Sequence, residues 1–300
     1  MDAQHTRQGI FFALGAYFIW GIAPAYFKLL QQVAPGEIMT HRVIWSFFFM
    51  LVLVSLSRNW AKVKLILQQP KKVLMLAVSA TVICANWLIF IWAVNNQHIL
   101  EASLGYFINP LLNVVVGMVF LKERFRRLQW LAVALAACGV LIQLWKFGSV
   151  PIIAIGLAVT FSAYGLIRKK IGVDAQTGML VETSWLLPVA AIYLFGIADS
   201  STSHLSQNPL TLNLLLVAAG IVTTIPLMLF TAACSRLRLS TVGFFQYLGP
   251  TLMFLLAVVF YGEQMTPDKV VTFSFIWAAL ALFILDAVWT LKRSRQPGLA

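Results

Sequence analysis

Two ionisable side chains, Arg42 and Glu182, stand inside long apolar segments of the 300-residue sequence. Burying such a group at membrane depth costs about 2.5–3.5 kcal/mol on insertion scales, so its presence there points to a function. An arginine can bind a substrate carboxylate through paired hydrogen bonds, and a glutamate can bind an amine or a coupling proton. The alternative for each residue is that it reaches the membrane interface or anchors an adjacent loop.

Amide, phenol and indole groups also occur inside the apolar segments. Tyr106, Asn109 and Asn113 are spaced i, i+3 and i+7, so they share one face of a helix. In an apolar surrounding this polar face must meet either a partner helix or a wet cavity, and the sequence leaves both possibilities open. The other residues that we predict to bind substrate, besides Arg42 and Glu182, are Trp20, Asn86, Trp87 and Gln246.

Signatures of enzymatic or metal chemistry are absent from the sequence. The CxxC, HExxH, GxSxG, P-loop and GxGxxG patterns do not occur, and the Asp residues are isolated rather than clustered. Cys84, Cys138 and Cys234 lie within or at the edge of apolar segments, and an odd buried set argues against a disulfide framework. We therefore predict a protein that is not an enzyme and that uses no cofactor and no metal ion.

The composition indicates the environment of these residues. Apolar residues make up 60% of the chain and charged residues only 11%, against about half and a quarter in soluble domains. A helix that spans a bilayer needs about 20 apolar residues. Runs near this length occur ten times, at 9–29, 38–57, 73–94, 102–121, 128–146, 150–167, 179–197, 211–233, 240–261 and 270–290.

The basic residues give these spans an orientation. Of the 22 Lys and Arg residues, 18 fall on one side of the membrane, at position 7 and within 58–72, 122–127, 168–170, 236–238 and 292–295. Short loops rich in Lys and Arg stay in the cytoplasm, so both termini are predicted to be cytoplasmic. The net charge of +12 then marks orientation, and because it is dispersed over six segments it does not indicate a nucleic-acid partner.

The chain also matches itself at an offset of 140 residues. Aligned identities at this offset are Trp45 with Trp185, Phe90 with Phe230, Ala93 with Ala233, Pro110 with Pro250, Phe120 with Phe260 and Glu123 with Glu263. The sequence therefore predicts two repeats of five spans each, 9–146 and 150–290, followed by a tail at 291–300. Because five is odd, the second repeat is inverted, an arrangement typical of secondary transporters. The predicted fold is an all-α polytopic membrane protein.

Several motifs resemble a known family. The segment AYFIWGIAP at 16–24, the pair His41-Arg42 and the LKERF ending at 121–125, repeated as YGE at 261–263, resemble the EamA branch of the drug/metabolite transporter superfamily. The runs 101–110 and 239–247 resemble its RarD subgroup, named for a link to chloramphenicol handling. The resemblance covers essentially the whole chain. It implies ten helices in two EamA repeats, location in the bacterial inner membrane, and export rather than import.

Repeats, intramembrane polar groups and missing nucleotide motifs together predict a secondary active transporter. It would export a small amphipathic metabolite or drug across the inner membrane by alternating access. The expected partners are this small molecule, a coupling proton or ion, and the lipid bilayer, without nucleic acid. The alternatives are an intramembrane enzyme that modifies lipid and a passive channel.

Overall fold

The computed structural model describes residues 3–261 and 266–293. Every regular element in this part of the chain is helical. Gly262 and Glu263 of the second YGE motif, and residues 294–300 of the predicted tail, lie outside the described residues. The helices are α1 Ala3–Phe27, α2 Pro35–Leu56, α3 Trp60–Leu67, α4 Pro70–Asn95, α5 Ile99–Leu121, α6 Arg127–Phe147, α7 Ile152–Ile171, α8 Ala175–Gly196, α9 Leu210–Arg236, α10 Leu239–Gln246, α11 Leu248–Tyr261 and α12 Pro267–Arg293, and a 3₁₀ turn at Lys28–Leu30 follows α1.

Within the described ranges, ten helical stretches are long and apolar enough to cross a membrane. Two shorter helices explain the difference from the twelve α-helices. The short α3 lies in the connection between the second and third spans, and α10 and α11 together supply the ninth span. The predicted all-α, polytopic fold is therefore confirmed.

The helices pack with the symmetry expected of two equivalent halves. Helix α1 packs on α9, and its counterpart α7 packs on α4; likewise α5 packs on α7, and α11 packs on α1. Equivalent helices also pack directly on each other, namely α2 on α8, α5 on α10, and α6 on α12. Each half contributes five spans, so the predicted inverted repeat is confirmed as well.

The ninth predicted span, 240–261, is divided in the structure. Helix α10 ends at Gln246, and α11 begins at Leu248. Pro250 accounts for the break, because a proline has no N–H to donate to the carbonyl four residues earlier, which here belongs to Gln246. Pro110, at the equivalent position of the first repeat, lies inside the continuous α5. The break therefore distinguishes the two repeats.

The largest hydrophobic core lies in one half of the bundle. It contains Met50, Tyr164, Phe230 and Cys234, all fully buried, along with neighbours from α8 and α10. These residues belong to the helix halves nearest the connections rich in Lys and Arg. We call that side of the protein the basic face. Close packing there leaves these side chains almost without solvent exposure.

Candidate functional site

A cavity of about 480 Å³ opens in the half of the bundle opposite the basic face. This volume falls within the range of small-molecule sites, which is about 300–1,000 Å³. Both repeats contribute to its wall, through α1, α2, α4 and α5 of the first and α7, α9, α10 and α11 of the second. The lining is mostly apolar and includes seven aromatic side chains: Tyr17, Trp20, Phe27, Trp87, Phe90, Tyr106 and Phe161.

Arg42 supplies the charge of this cavity. It lies about two turns into α2, and its Nε donates a 2.7 Å hydrogen bond to Thr223 Oγ1 on α9. The guanidinium lies over the ring of Trp87, with Cζ 4.6 Å from the centroid, and 5.4 Å from the ring centre of Phe27. Cation–π contacts of this kind stabilise a desolvated cation and hold it in place. Among the described lining residues, no side chain is acidic.

A small amide network lies behind the cavity wall. Asn113 Nδ2 donates to Asn109 Oδ1 at 3.1 Å and to Gln246 Oε1 at 3.2 Å. The hydroxyl of Ser162 donates to the same Asn109 oxygen at 3.1 Å. Asn109 and Gln246 line the cavity, whereas Asn113 is fully buried behind them. The predicted polar face of α5 therefore meets both a cavity and partner helices.

Of the remaining predicted residues on this wall, Asn86 and Trp20 contact the second repeat, and Tyr106 contacts its own repeat. Asn86 Nδ2 donates to Leu157 O at 2.9 Å and to Thr160 Oγ1 at 2.8 Å, both on α7. Trp20 packs among aromatic rings, 5.8 Å from Phe161 and 5.9 Å from Phe230 between centroids. Tyr106 faces the cavity with its ring 6.3 Å from that of Phe90.

Glu182 is not part of this cavity. Its Oε1 lies 3.5 Å from Arg168 Nη1, and its Oε2 accepts a 3.4 Å hydrogen bond from Tyr164. Both partners of the ion pair are only 3% exposed, and they lie in the closed half near the basic face. The structure thus brings seven of the nine predicted residues to one cavity, leaving Asn113 behind its wall and Glu182 in the opposite half.

Three residues of functional interest were not singled out from the sequence. Thr223 and Ser162 are short hydroxyl side chains, common in membrane helices, and neither spacing nor type marks them as contacts of Arg42 and Asn109. Arg168 opens a run of three basic residues and was assigned to the cytoplasmic loops. Its burial shows that it belongs to the closed half of the bundle.

No cluster of His, Cys, Asp or Glu that could hold a metal ion occurs within 3–261 and 266–293.

Comparison with known proteins identifies the family to which this chain belongs. The EamA-like transporter family matches the chain twice, over residues 7–145 and 149–285. This chain belongs to the EamA-like transporter family. The two matches correspond to the two structural halves, and the resemblance inferred from the motifs is confirmed.

Individual relatives agree with the family. The chain is 71% identical to Protein RarD of Escherichia coli strain K12, over 99% of this chain and 100% of that protein. It is 58% identical to an uncharacterized transporter of Vibrio cholerae (96% of this chain, 95% of that protein), and 32% identical to the chloramphenicol-sensitive protein RarD of Pseudomonas aeruginosa (98% and 99%). The EamA-like chain is therefore a multi-pass membrane protein of a transporter family.

A solved crystal structure shares the fold. It superposes with a TM-score of 0.72 at 18% sequence identity, and the match covers 94% of this chain and 98% of that one. At this identity the likeness concerns the arrangement of the helices alone. The EamA-like fold of two five-span halves is thus found in a protein whose sequence is far from this one.

Proposed function

We propose that this protein is a secondary active transporter that exports a small amphipathic metabolite or drug across the bacterial inner membrane by alternating access. The observation that carries the proposal is a difference between the two sides of the helix bundle. A cavity lined by both repeats is open on one side, while the other side is closed by a packed aromatic core. Inverted repeats that exchange these two states would expose the same site to each side of the membrane in turn.

The orientation follows from the charges. Loops rich in Lys and Arg remain in the cytoplasm, so the basic face is cytoplasmic and both termini lie on that side. The cavity then opens toward the periplasm, and the structure corresponds to the outward-open state. Reporter fusions test this orientation: a cytoplasmic reporter at position 69 and a periplasmic reporter at position 148 should be active, and the exchanged pair inactive. The reverse pattern would refute it.

The cavity is the proposed substrate site. Arg42, Trp20, Asn86, Trp87, Tyr106, Asn109 and Gln246 would contact the substrate in the outward-open state, and Asn113 would orient two of them. Glu182 would have its role in the other state. It is the repeat equivalent of Arg42, so opening of the cytoplasmic half would bring it to a cavity wall, where it could bind a coupling proton.

The direct test is solute movement by the purified protein. Candidate compounds are those whose external concentration differs between cells that overproduce the protein and cells that lack it. Each candidate is then assayed in proteoliposomes. We expect uptake of labelled compound to be accelerated by unlabelled compound inside the vesicles. Flux without this trans-stimulation would indicate a passive channel, and absence of flux under every ion or proton gradient would refute transport. A chemically altered lipid product would indicate the enzyme alternative.

A cavity-filling variant supplies the matched control. Gly249 lines the cavity, and a Cβ added there would meet no atom within 4 Å, so Gly249→Phe should fit and occupy the cavity. Gly196 is equally free of neighbours but lies on the surface at the end of α8. Transport should be lost in Gly249→Phe and kept in Gly196→Phe. Proton coupling is tested separately, because gradient-driven transport that is unchanged in Glu182→Gln would exclude Glu182 as the proton site.

A further inference from the structure

We infer that the cavity selects organic monoanions: molecules with a flat apolar body and one carboxylate, and without an ammonium group. This inference rests on the proposed function, because it names the substrate class of the same cavity. Zwitterions and cations are thereby excluded as substrates, whereas the residue types in the sequence alone do not exclude them. The reasons lie in the charge of the lining, in the direction of its amide groups and in the arrangement of its aromatic rings.

The charge of the lining is one-sided. Arg42 is cationic, and no lining residue among those described is acidic. Within the described residues, its only hydrogen-bond acceptor is the neutral hydroxyl of Thr223, and no carboxylate lies within ion-pair distance. An anionic ligand strongly stabilises a cation that lies in a largely apolar site. A guanidinium binds a carboxylate through two parallel hydrogen bonds.

The amides are fixed so that they offer donors. The oxygen of Asn109 already accepts from Asn113 and Ser162, and the oxygen of Gln246 accepts from Asn113. The Asn109 oxygen thus has both lone pairs engaged and the Gln246 oxygen has one engaged, which leaves the NH₂ groups of both amides as donors for a ligand. They can donate to carboxylate or carbonyl oxygens but cannot accept from an ammonium group. Asn86, whose NH₂ group is bound to α7, presents an amide oxygen, and the lining also includes the hydroxyl groups of Tyr17 and Tyr106, so the side-chain acceptors among the described lining residues are all neutral.

The aromatic rings accommodate the rest of the ligand. Trp87 and Phe27 lie beside the guanidinium, so an apolar ring attached to a carboxylate that binds Arg42 would meet aromatic faces. Trp20, Phe161 and Phe90 extend this apolar surface along the cavity. Flat ring systems stack on such surfaces at little cost in conformational entropy. The site therefore combines one anion position with an adjoining aromatic slot.

Binding to the purified full-length protein in detergent tests the inference. The probes are three acids, 2-naphthoate, indole-3-acetate and 3-phenylpropionate, each with its neutral carboxamide and its corresponding amine, and affinity is measured by isothermal titration calorimetry. We expect at least one acid to bind roughly tenfold or more tightly than its carboxamide, since charge-assisted hydrogen bonds to Arg42 are lost in the amide. The amines should bind least.

Variants assign the selectivity to Arg42. In Arg42→Gln the acid and its carboxamide should bind within about twofold of each other, because the charge that distinguishes between them is lost. Thr223→Val keeps the charge of Arg42 and removes only the hydroxyl that accepts from its Nε. The ratio of acid affinity to carboxamide affinity should therefore lie between the ratios of the unaltered protein and Arg42→Gln. Lys146→Gln, which removes a cation from the same face outside the cavity, should change nothing. Thermal unfolding and gel filtration establish that each variant is folded.

Several outcomes would overturn the inference. They are failure of all three acids to bind at millimolar concentration, amides or amines that bind as tightly as acids, or an acid preference that survives in folded Arg42→Gln. Because binding in detergent requires no transport, this result is separate from the proteoliposome test. A protein that binds the acids and moves no solute retains the inference and refutes the transport function.

Discussion

Arg42 and Glu182 occupy equivalent positions in the two repeats, 140 residues apart, but opposite surroundings. Arg42 faces the open cavity with Thr223 and two aromatic rings as neighbours. Glu182 is 3% exposed and lies against Arg168 in the closed half. On the proposed alternating-access mechanism, each of the two residues would exchange its surroundings with the other when the open side of the bundle closes and the closed side opens.

Two methionines at equivalent positions can report the same contrast. Met39 lines the cavity, whereas Met179, also 140 residues later, is 2% exposed in the closed core. In a cysteine-free background, a membrane-impermeant maleimide added outside the cell should label Met39→Cys and leave Met179→Cys unlabelled. Equal labelling of the two positions would contradict the assignment of the open side.

Glu123 holds the two repeats together at the basic face. Its carboxylate accepts from the backbone N–H of Leu239 at 2.7 Å and of Ser240 at 3.1 Å, where α10 begins, and from the Ser240 hydroxyl. Charge-assisted bonds of this kind contribute about 1.5–3 kcal/mol. If they are lost when the cytoplasmic half opens, Glu123→Gln should raise the inward-open population about tenfold, since 1.4 kcal/mol corresponds to one factor of ten.

The measurement is the rate at which maleimide labels Met179→Cys from the cytoplasmic side of inverted vesicles. The control is Asp174→Asn, because the Asp174 carboxylate also accepts at a helix N-terminus on that face, but its only hydrogen-bond donor among the described residues is Thr177, three residues away in its own repeat. An increase in the Asp174→Asn protein as large as that in Glu123→Gln would show that the effect is not specific to the contact between repeats.

The buried pair of Arg168 and Glu182 should matter for stability mainly as a pair. Glu182→Gln leaves the guanidinium of Arg168 buried without its counter-charge, and such changes cost about 3–5 kcal/mol. The double variant Arg168→Met with Glu182→Leu removes both charges, so its thermal midpoint in detergent, followed by tryptophan fluorescence, should recover toward the unaltered protein. A double variant less stable than Glu182→Gln would refute this account.

Gly220 permits the close approach of α9 to α2. A Cβ added at this position would lie 2.5 Å from the carbonyl carbon of Trp45 and 2.6 Å from the backbone nitrogen of Ser46, neither of which can rotate away. Overpacking of this kind costs about 1–3 kcal/mol, so Gly220→Ala should lower the thermal midpoint. Gly156→Ala is the control, because its Cβ would meet only Ile89 Cδ1 at 3.8 Å. An equal loss in both variants would contradict the role of Gly220.

The number of spans, their division into two inverted repeats, and the face that carries the basic residues all follow from the sequence alone. These features are local or compositional: a bilayer demands apolar runs of a minimum length, and a duplicated chain retains matches at a fixed offset. The pocket candidates Trp20, Asn86 and Trp87 were also predictable, because polar or bulky aromatic groups in the middle of a span have few positions other than a cavity or a helix contact.

The break between α10 and α11 is an intermediate case. Pro250 is visible in the sequence, but so is Pro110, and the two differ in effect. A proline in a membrane helix can be accommodated by neighbouring helices, so its residue type alone does not decide whether the helix is interrupted. Packing around each proline does.

Which side of the bundle is open, and which ionisable residue faces the cavity, depends on contacts between helices that are distant in sequence. Arg42 and Glu182 are equivalent in sequence, and the difference between them arises from contacts with Thr223 and Arg168 on other helices. The direction of the Asn109 and Gln246 amides depends likewise on Asn113 and Ser162. Spans that are apolar all round carry little periodic signal of which face meets which neighbour, so these long-range contacts are absent from the pattern of any single helix.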